Sequence, residues 1–181
     1  MADRRVVILL LTGRPGVGKT TIVRKVAEKL RQRPSGFYTE EVREKAARRG
    51  FRAVTFDGEE SIIADVDRRG PPRVGKYGVD VSAIDRLADT ALRPKRTAAV
   101  YIIDEIGKME CFSPRFVDAT QQLLDSGQLV VATIGQKGSG FITEVKQRAD
   151  AELWVVTREN RDEMPGRVLE WIERRPTSPS Q

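Results

Sequence analysis

The chain has no histidine and a single cysteine, Cys111, in 181 residues. Without histidine there is no Ser-His-Asp or Cys-His nucleophile, no imidazole general base and no histidine metal site. Acid–base work falls to Asp, Glu, Lys or Tyr. One cysteine forms no internal disulfide and rules out a structural zinc site. With no export signal at the start, it points to a reducing, cytoplasmic setting. Long hydrophobic runs are missing as well. The longest, residues 6–11, falls far short of the roughly 20 residues a membrane span needs, so no membrane partner is expected. Aromatics make up 6% and do not cluster into a stacking platform for nucleic acid. Basic residues come in scattered pairs, such as Arg48-Arg49 and Arg68-Arg69, and never as a dense basic arm. The net charge of +6 and the pI near 9.7 still suit a polyanionic partner. Nucleotides, nucleic acid and acidic surfaces all qualify, although no nucleic-acid motif accompanies the charge.

What is present is a soluble-protein composition, 39% hydrophobic and 32% charged. It predicts one domain over residues 1–174 with a disordered tail at 175–181. No internal repeat is visible. The most informative stretch is Gly13-Arg14-Pro15-Gly16-Val17-Gly18-Lys19-Thr20, which fits G-x-x-x-x-G-K-[ST]. It follows the apolar run 6–11, read as a buried strand. It precedes a helical pattern at 18–32 with Ile22, Val23, Val26, Ala27 and Leu30 on one face. That context makes it a phosphate loop. Gly13, Arg14, Pro15, Gly16, Val17, Gly18, Lys19, Thr20 and Thr21 are the expected nucleotide-binding set. Glycines let the backbone wrap an anion and aim N–H groups at it. Lys19 reaches the β- and γ-phosphates, and the Thr20 hydroxyl ligates Mg²⁺.

Downstream, residues 36–43 and 51–56 are rich in strand formers. Asp57-Gly58 signals a hairpin, and 61–66 reads as the returning strand. This middle region predicts an antiparallel ribbon, inserted in or edging the main sheet. Ser82 to Asp85 reads as a capping box for a helix ended by Pro94. Residues 98–103 are continuously apolar, as in a strand covered on both faces, and end in Asp104-Glu105. Ser113-Pro114 opens the next helix and Gly127 stops it. Residues 129–134 form another buried strand, 135–140 a glycine-rich loop, 141–148 a short helix, 153–157 a strand and 165–174 a final helix. Strands alternating with helices predict a three-layer α/β fold, with a mainly parallel sheet and helices on both faces. Ligands of such sheets sit at the carboxyl ends of the strands.

Asp104-Glu105 lies at such an end. Paired with a phosphate loop, Asp104 would hold Mg²⁺ through water, and Glu105 would orient and deprotonate an attacking water. Thr133 is either a γ-phosphate sensor or a threonine that caps a turn. Asn160 and Arg161 follow the last strand, where a loop either touches base and ribose or is simply solvated.

GRPGVGKTT, GFYTEEVRE, VGKYGVDV, IDEIGKME and VTRENR occur in this order. Together they resemble the cancer-related nucleoside-triphosphatase family, also known from thermophilic archaea and bacteria. The likeness spans residues 6–172. It implies a Mg²⁺-dependent hydrolase of ATP, GTP, CTP and UTP, monomeric, slow and tolerant of the base. It implies a RecA-like sheet in which the strand at 129–134 separates the phosphate-loop strand from the Asp-Glu strand. The family's essential lysine and glutamate fall on Lys19 and Glu105. Arg14 stands where some relatives have another proline, at a position the motif leaves free. Two other readings stand beside hydrolysis. One is a nucleoside or small-molecule kinase, with 44–50 and 136–140 as candidate lids. The other is a nucleotide-dependent nucleic-acid-binding switch, motivated by the charge.

Overall fold

The computed structural model describes residues 6–175. The chain begins with β1 (Ile8–Thr12), whose five side chains are all buried. They alternate between two cores: Ile8 and Leu10 enter one, Leu9 and Leu11 the other. A strand buried on both faces needs a layer on each side, and the helices supply both. On one side lie α1 (Lys19–Lys29) and α5 (Met164–Glu173), packing Ile22, Val23, Val26, Met164, Val168 and Trp171. On the other lie α2 (Val81–Ala91), α3 (Pro114–Asp125) and α4 (Phe141–Lys146), packing Ile84, Leu87, Phe116, Leu123, Ile142 and Val145.

The strands between them are β2 (Ser35–Glu44), β3 (Ala47–Thr55), β4 (Glu60–Asp65), β5 (Arg73–Val74), β6 (Tyr77–Val79), β7 (Tyr101–Ile106), β8 (Val130–Ile134) and β9 (Ala151–Val155). One nine-stranded sheet runs in the order β5-β6-β4-β3-β2-β7-β8-β1-β9. From β2 to β9 every pairing is parallel. β8 lies between the phosphate-loop strand β1 and the Asp-Glu strand β7, as expected. From β2 outward the pairings are antiparallel, so the ribbon extends the edge of the sheet.

Several local readings are corrected. The 44–50 stretch is no free loop: β2 and β3 continue into it and close at Lys45 and Ala46, with φ of 46° and 66°. Positive φ at two central residues is the tight-hairpin conformation. Its arginines Arg48 and Arg49 are paired with Glu41 and Glu44. Helix α2 is capped by Asp80, which accepts from the Ala83 amide at 3.0 Å, and not by Ser82. The carboxylate two residues upstream satisfies the end amide, while Asp85 accepts from the Ser113 hydroxyl at 2.5 Å. Strand β7 starts at Tyr101, not Ala98, and runs through Asp104-Glu105 to Ile106. Its pairing with β8 slips between Ile103 and Ile106, which frees the two carboxylates from the regular ladder. Arg175, the first residue of the expected tail, stacks on Trp171 at 3.6 Å and donates to the Val6 carbonyl at 2.8 Å. Residues 176–181 of that tail lie outside the described residues.

Candidate active site

The site lies where β1, β7 and β8 end together. Between Thr12 and Lys19 the chain turns from strand to helix with no side chain able to fill the turn. A Cβ on Gly13 would stand 2.5 Å from the Val156 carbonyl oxygen, so the loop touches β9's continuation only because residue 13 is glycine. Gly18 precedes the helix at φ 114°, a conformation natural to glycine. The first amides of α1 lack carbonyl partners within the helix and carry its positive dipole end toward the loop. Arg14, Pro15 and Gly16 are exposed on the crest, while Val17 is buried beneath it.

Lys19 folds back into the loop it starts from. Its ammonium donates to the Gly13 carbonyl at 3.2 Å and is largely buried. The same Nζ lies 3.9 Å from Glu105 Oε2. One cation therefore joins loop and strand end, where a γ-phosphate would stand.

Asp104 is fully buried and held by three threonines. Thr20 Oγ1 donates to Oδ2 at 2.8 Å, and Thr39 donates to the same oxygen from its amide at 3.2 Å and its hydroxyl at 3.1 Å. Thr133 donates to Oδ1 at 2.6 Å. A buried carboxylate is tolerated when donors surround it. The register explains the convergence. Phe37 pairs with Ile103, leaving Thr39 near the strand end, and Ile103 pairs with Ala132, setting Thr133 alongside Asp104.

Glu105 is half-buried. Desolvation pushes its carboxyl above the ordinary glutamate range, Lys19 pulls it down, the Asp104 charge pushes it up and Lys146 pulls it down. Its Oε1 packs toward two glycines. A Cβ on Gly107 would lie 3.1 Å from it and one on Gly135 3.6 Å from it. Beyond it, in the 3-10 turn Glu110–Phe112, the Glu110 carboxyl is buried and pushed up to about 8, first by desolvation and then by the Glu105 charge.

On the far side of the loop, a cleft of about 230 Å³ is lined by Gly18, Thr21, Lys25, Arg161 and Asp162. Thr21 is exposed there, and Arg161 crosses it toward the Val17 carbonyl at 3.5 Å. Asn160 bonds its side chain to its own loop. Its Oδ1 accepts from the Thr157 amide and its Nδ2 donates to the Val155 carbonyl, each at 2.9 Å.

The structure thus gathers Lys19, Thr20, Asp104, Glu105 and Thr133, and ties Asn160 into its own loop. Sequence reading missed Thr39, although it sits inside the distinctive GFYTEE stretch. It also missed Glu110 in IDEIGKME and Lys146, whose Nζ reaches the Gln136 carbonyl at 3.0 Å. Among the described residues, no cluster of three or more His, Cys, Asp or Glu side chains could hold a metal. The donor set that exists, one hydroxyl beside one carboxylate, suits Mg²⁺, which keeps waters and takes its remaining ligands from phosphates.

A parallel sheet flanked by helices, with a phosphate loop opposite paired carboxylates, defines the phosphate-loop nucleotide-binding class. A family model described as NTPase matches residues 8–169, and the chain belongs to that family. Its enzyme class is accordingly that of a nucleoside-triphosphatase, a hydrolase. Nucleoside-triphosphatase THEP1 of Thermotoga sp. (strain RQ2) is 41% identical over 162 residues, spanning 89% of this chain and 92% of that one. The cancer-related nucleoside-triphosphatase of Homo sapiens is 39% identical over 173 residues, spanning 86% and 91%. The crystal structure of THEP1 from Aquifex aeolicus superposes with a TM-score of 0.82 at 39% identity, covering 92% of this chain and 99% of that one.

Proposed function

We propose that the protein is a Mg²⁺-dependent hydrolase that cuts the β–γ anhydride of ATP, GTP, CTP and UTP, slowly and as a cytoplasmic monomer. The observation that carries this reading is the position of Glu105, a desolvated carboxylate 3.9 Å from the Lys19 ammonium. A base at the γ-phosphate end of the loop can take the proton of an attacking water. Water attacks the γ-phosphorus in line with the bridging oxygen. Its proton passes to Glu105, the bond to the bridging oxygen breaks, and that oxygen leaves with the nucleoside diphosphate. Lys19 and the loop amides carry the charge that develops on the phosphate oxygens. Thr20 and, through water, Asp104 would hold Mg²⁺, which would supply positive charge against the triphosphate.

Broad base tolerance fits the loop beside the cleft. Asn160 has the donors and acceptor to read a base edge, yet it spends Oδ1 and one Nδ2 hydrogen on backbone. The cleft also presents Thr21, Lys25, Arg161 and Asp162, exposed polar side chains on an open surface rather than a closed base pocket. The kinase reading loses one candidate lid, because 44–50 is a paired hairpin. Phosphate release from each of the four nucleotides, with and without Mg²⁺, tests the proposal. Release from all four that requires Mg²⁺ supports it. Formation of nucleoside diphosphate that depends on one added hydroxyl acceptor, with the phosphate bound to that acceptor and none set free, would transfer the case to a kinase.

A further inference from the structure

The loop that borders Glu105 carries a second cation that no motif identifies. Helix α4 hangs from the glycine-rich loop 135–140 and is fixed to the core by Ile142 and Val145. Its last residue, Lys146, turns back and donates from Nζ to the Gln136 carbonyl at 3.0 Å. Gln136 follows Gly135, the bare position against which Glu105 Oε1 packs. The lysine is therefore anchored on the loop that borders the base. Lys19 approaches Glu105 at Oε2, 3.9 Å away, while Lys146 is held on the loop next to Gly135, which borders Oε1. Both lysines favour the charged form of Glu105; burial pulls the Lys146 ammonium below the ordinary lysine range, and the Glu105 charge acts the other way. The other cation of this helix end, Arg148, is occupied by Asp125 and Asp150 at 2.8 Å each.

We propose that Lys146 is a catalytic residue, the cation that this chain lends to the γ-phosphoryl group in the transition state, across Glu105 from Lys19. An ammonium has three N–H donors, and the loop carbonyl takes one. Two remain for phosphate oxygens without any need to release the loop. Lys146 forms no covalent bond and moves no proton. It meets charge that grows on the equatorial oxygens as the bridging bond breaks, the role an arginine finger plays when a partner supplies it. The inference rests on the hydrolase reading, and it explains how a single chain could turn over without an activating partner.

The test compares wild type with Lys146→Gln and Lys146→Arg. Glutamine keeps an N–H for the Gln136 carbonyl and removes the charge. Single-turnover phosphate release and capture of Mg·ADP with aluminium fluoride, a mimic of the transferring group, are both measured. The expected result is a loss of about 10²-fold in turnover for Lys146→Gln. Its ATP Kd should stay within about threefold of wild type, its fluoride complex should be lost, and Lys146→Arg should retain most of both. If Lys146→Gln turns over and captures fluoride like wild type, the inference fails. It fails too if glutamine and arginine weaken ATP binding and turnover in parallel, for Lys146 is then only a loop clamp. Absence of phosphate release from wild type would sink the hydrolase reading instead, and fluoride capture would still decide Lys146.

Discussion

Asp104 is the residue on which most polar contacts of the centre converge. Four hydrogen bonds from three threonines hold a carboxylate that has no exposure to solvent. Hydrogen bonds to a charged group contribute about 1.5–3 kcal/mol. Thr133→Val keeps the shape and removes the bond at 2.6 Å, so a loss of about that size is expected in urea denaturation. A stability within about 0.5 kcal/mol of wild type would mean that Thr133 does not hold Asp104. Glu110 offers a pH-dependent check. Its carboxyl titrates near 8 in the folded chain, against an ordinary value of 4.5. The folded state therefore keeps a proton that the unfolded state loses. This group's contribution is fully present below about 4.5, declines as pH rises, and is gone above about 8. The decline is at most about 1.4 kcal/mol per pH unit. Glu110→Gln removes the titration, so its stability relative to wild type should climb from pH 5 to 8 and level off above. A difference that stays flat over pH 5–9 would contradict the burial argument.

At the scale of elements, strand pairing builds the site. Gly36 of β2 has φ 103°, and a Cβ there would overlap the Ile102 carbonyl oxygen of β7. Gly36→Ala must push apart the strand that carries Thr39 and the strand that carries Asp104 and Glu105. A destabilisation of more than about 2 kcal/mol with loss of phosphate release is expected, read by thermal melts and a release assay. An alanine variant of wild-type stability would mean that the two strands tolerate a wider spacing. The same pairing explains what the sequence disclosed and what it hid. Phosphate loop, buried strands and the Ser113-Pro114 helix start are local signals, carried by residues next to one another. Thr39 reaches Asp104 only through the β2–β7 register, and Lys146 reaches the loop at Gln136 only through the seat of α4. Neither register nor seating is written in a window of neighbouring residues. The turn at Lys45 and Ala46 was hidden for another reason. Neither residue is the glycine or asparagine that usually marks positive φ.

Over the whole molecule, the +6 charge does not form a binding stripe on the ribbon. Arg48 pairs with Glu41, Arg49 with Glu44 at 3.1 Å, and Arg52 with Glu40 and Glu60 at 2.6 and 2.9 Å. Exposed pairs of this kind add little stability, but they neutralise the surface a nucleic acid would need. A generic oligonucleotide should bind weakly and leave hydrolysis unchanged, and strong salt-dependent binding with stimulation would overturn that expectation. Three layers instead bring the loop after β1, the carboxylates of β7 and the loop after β8 to one end of the parallel strands, where the proposed triphosphate site lies. The measurement closest to this account is phosphate release from Mg·ATP by wild type and Glu105→Gln, with ATP binding followed in both. Removal of a general base typically costs about 10²–10⁴-fold. Glu105→Gln is expected to bind ATP as wild type does and to lose turnover in that range. If it hydrolyses ATP at the wild-type rate, Glu105 is not the base and the mechanism is wrong.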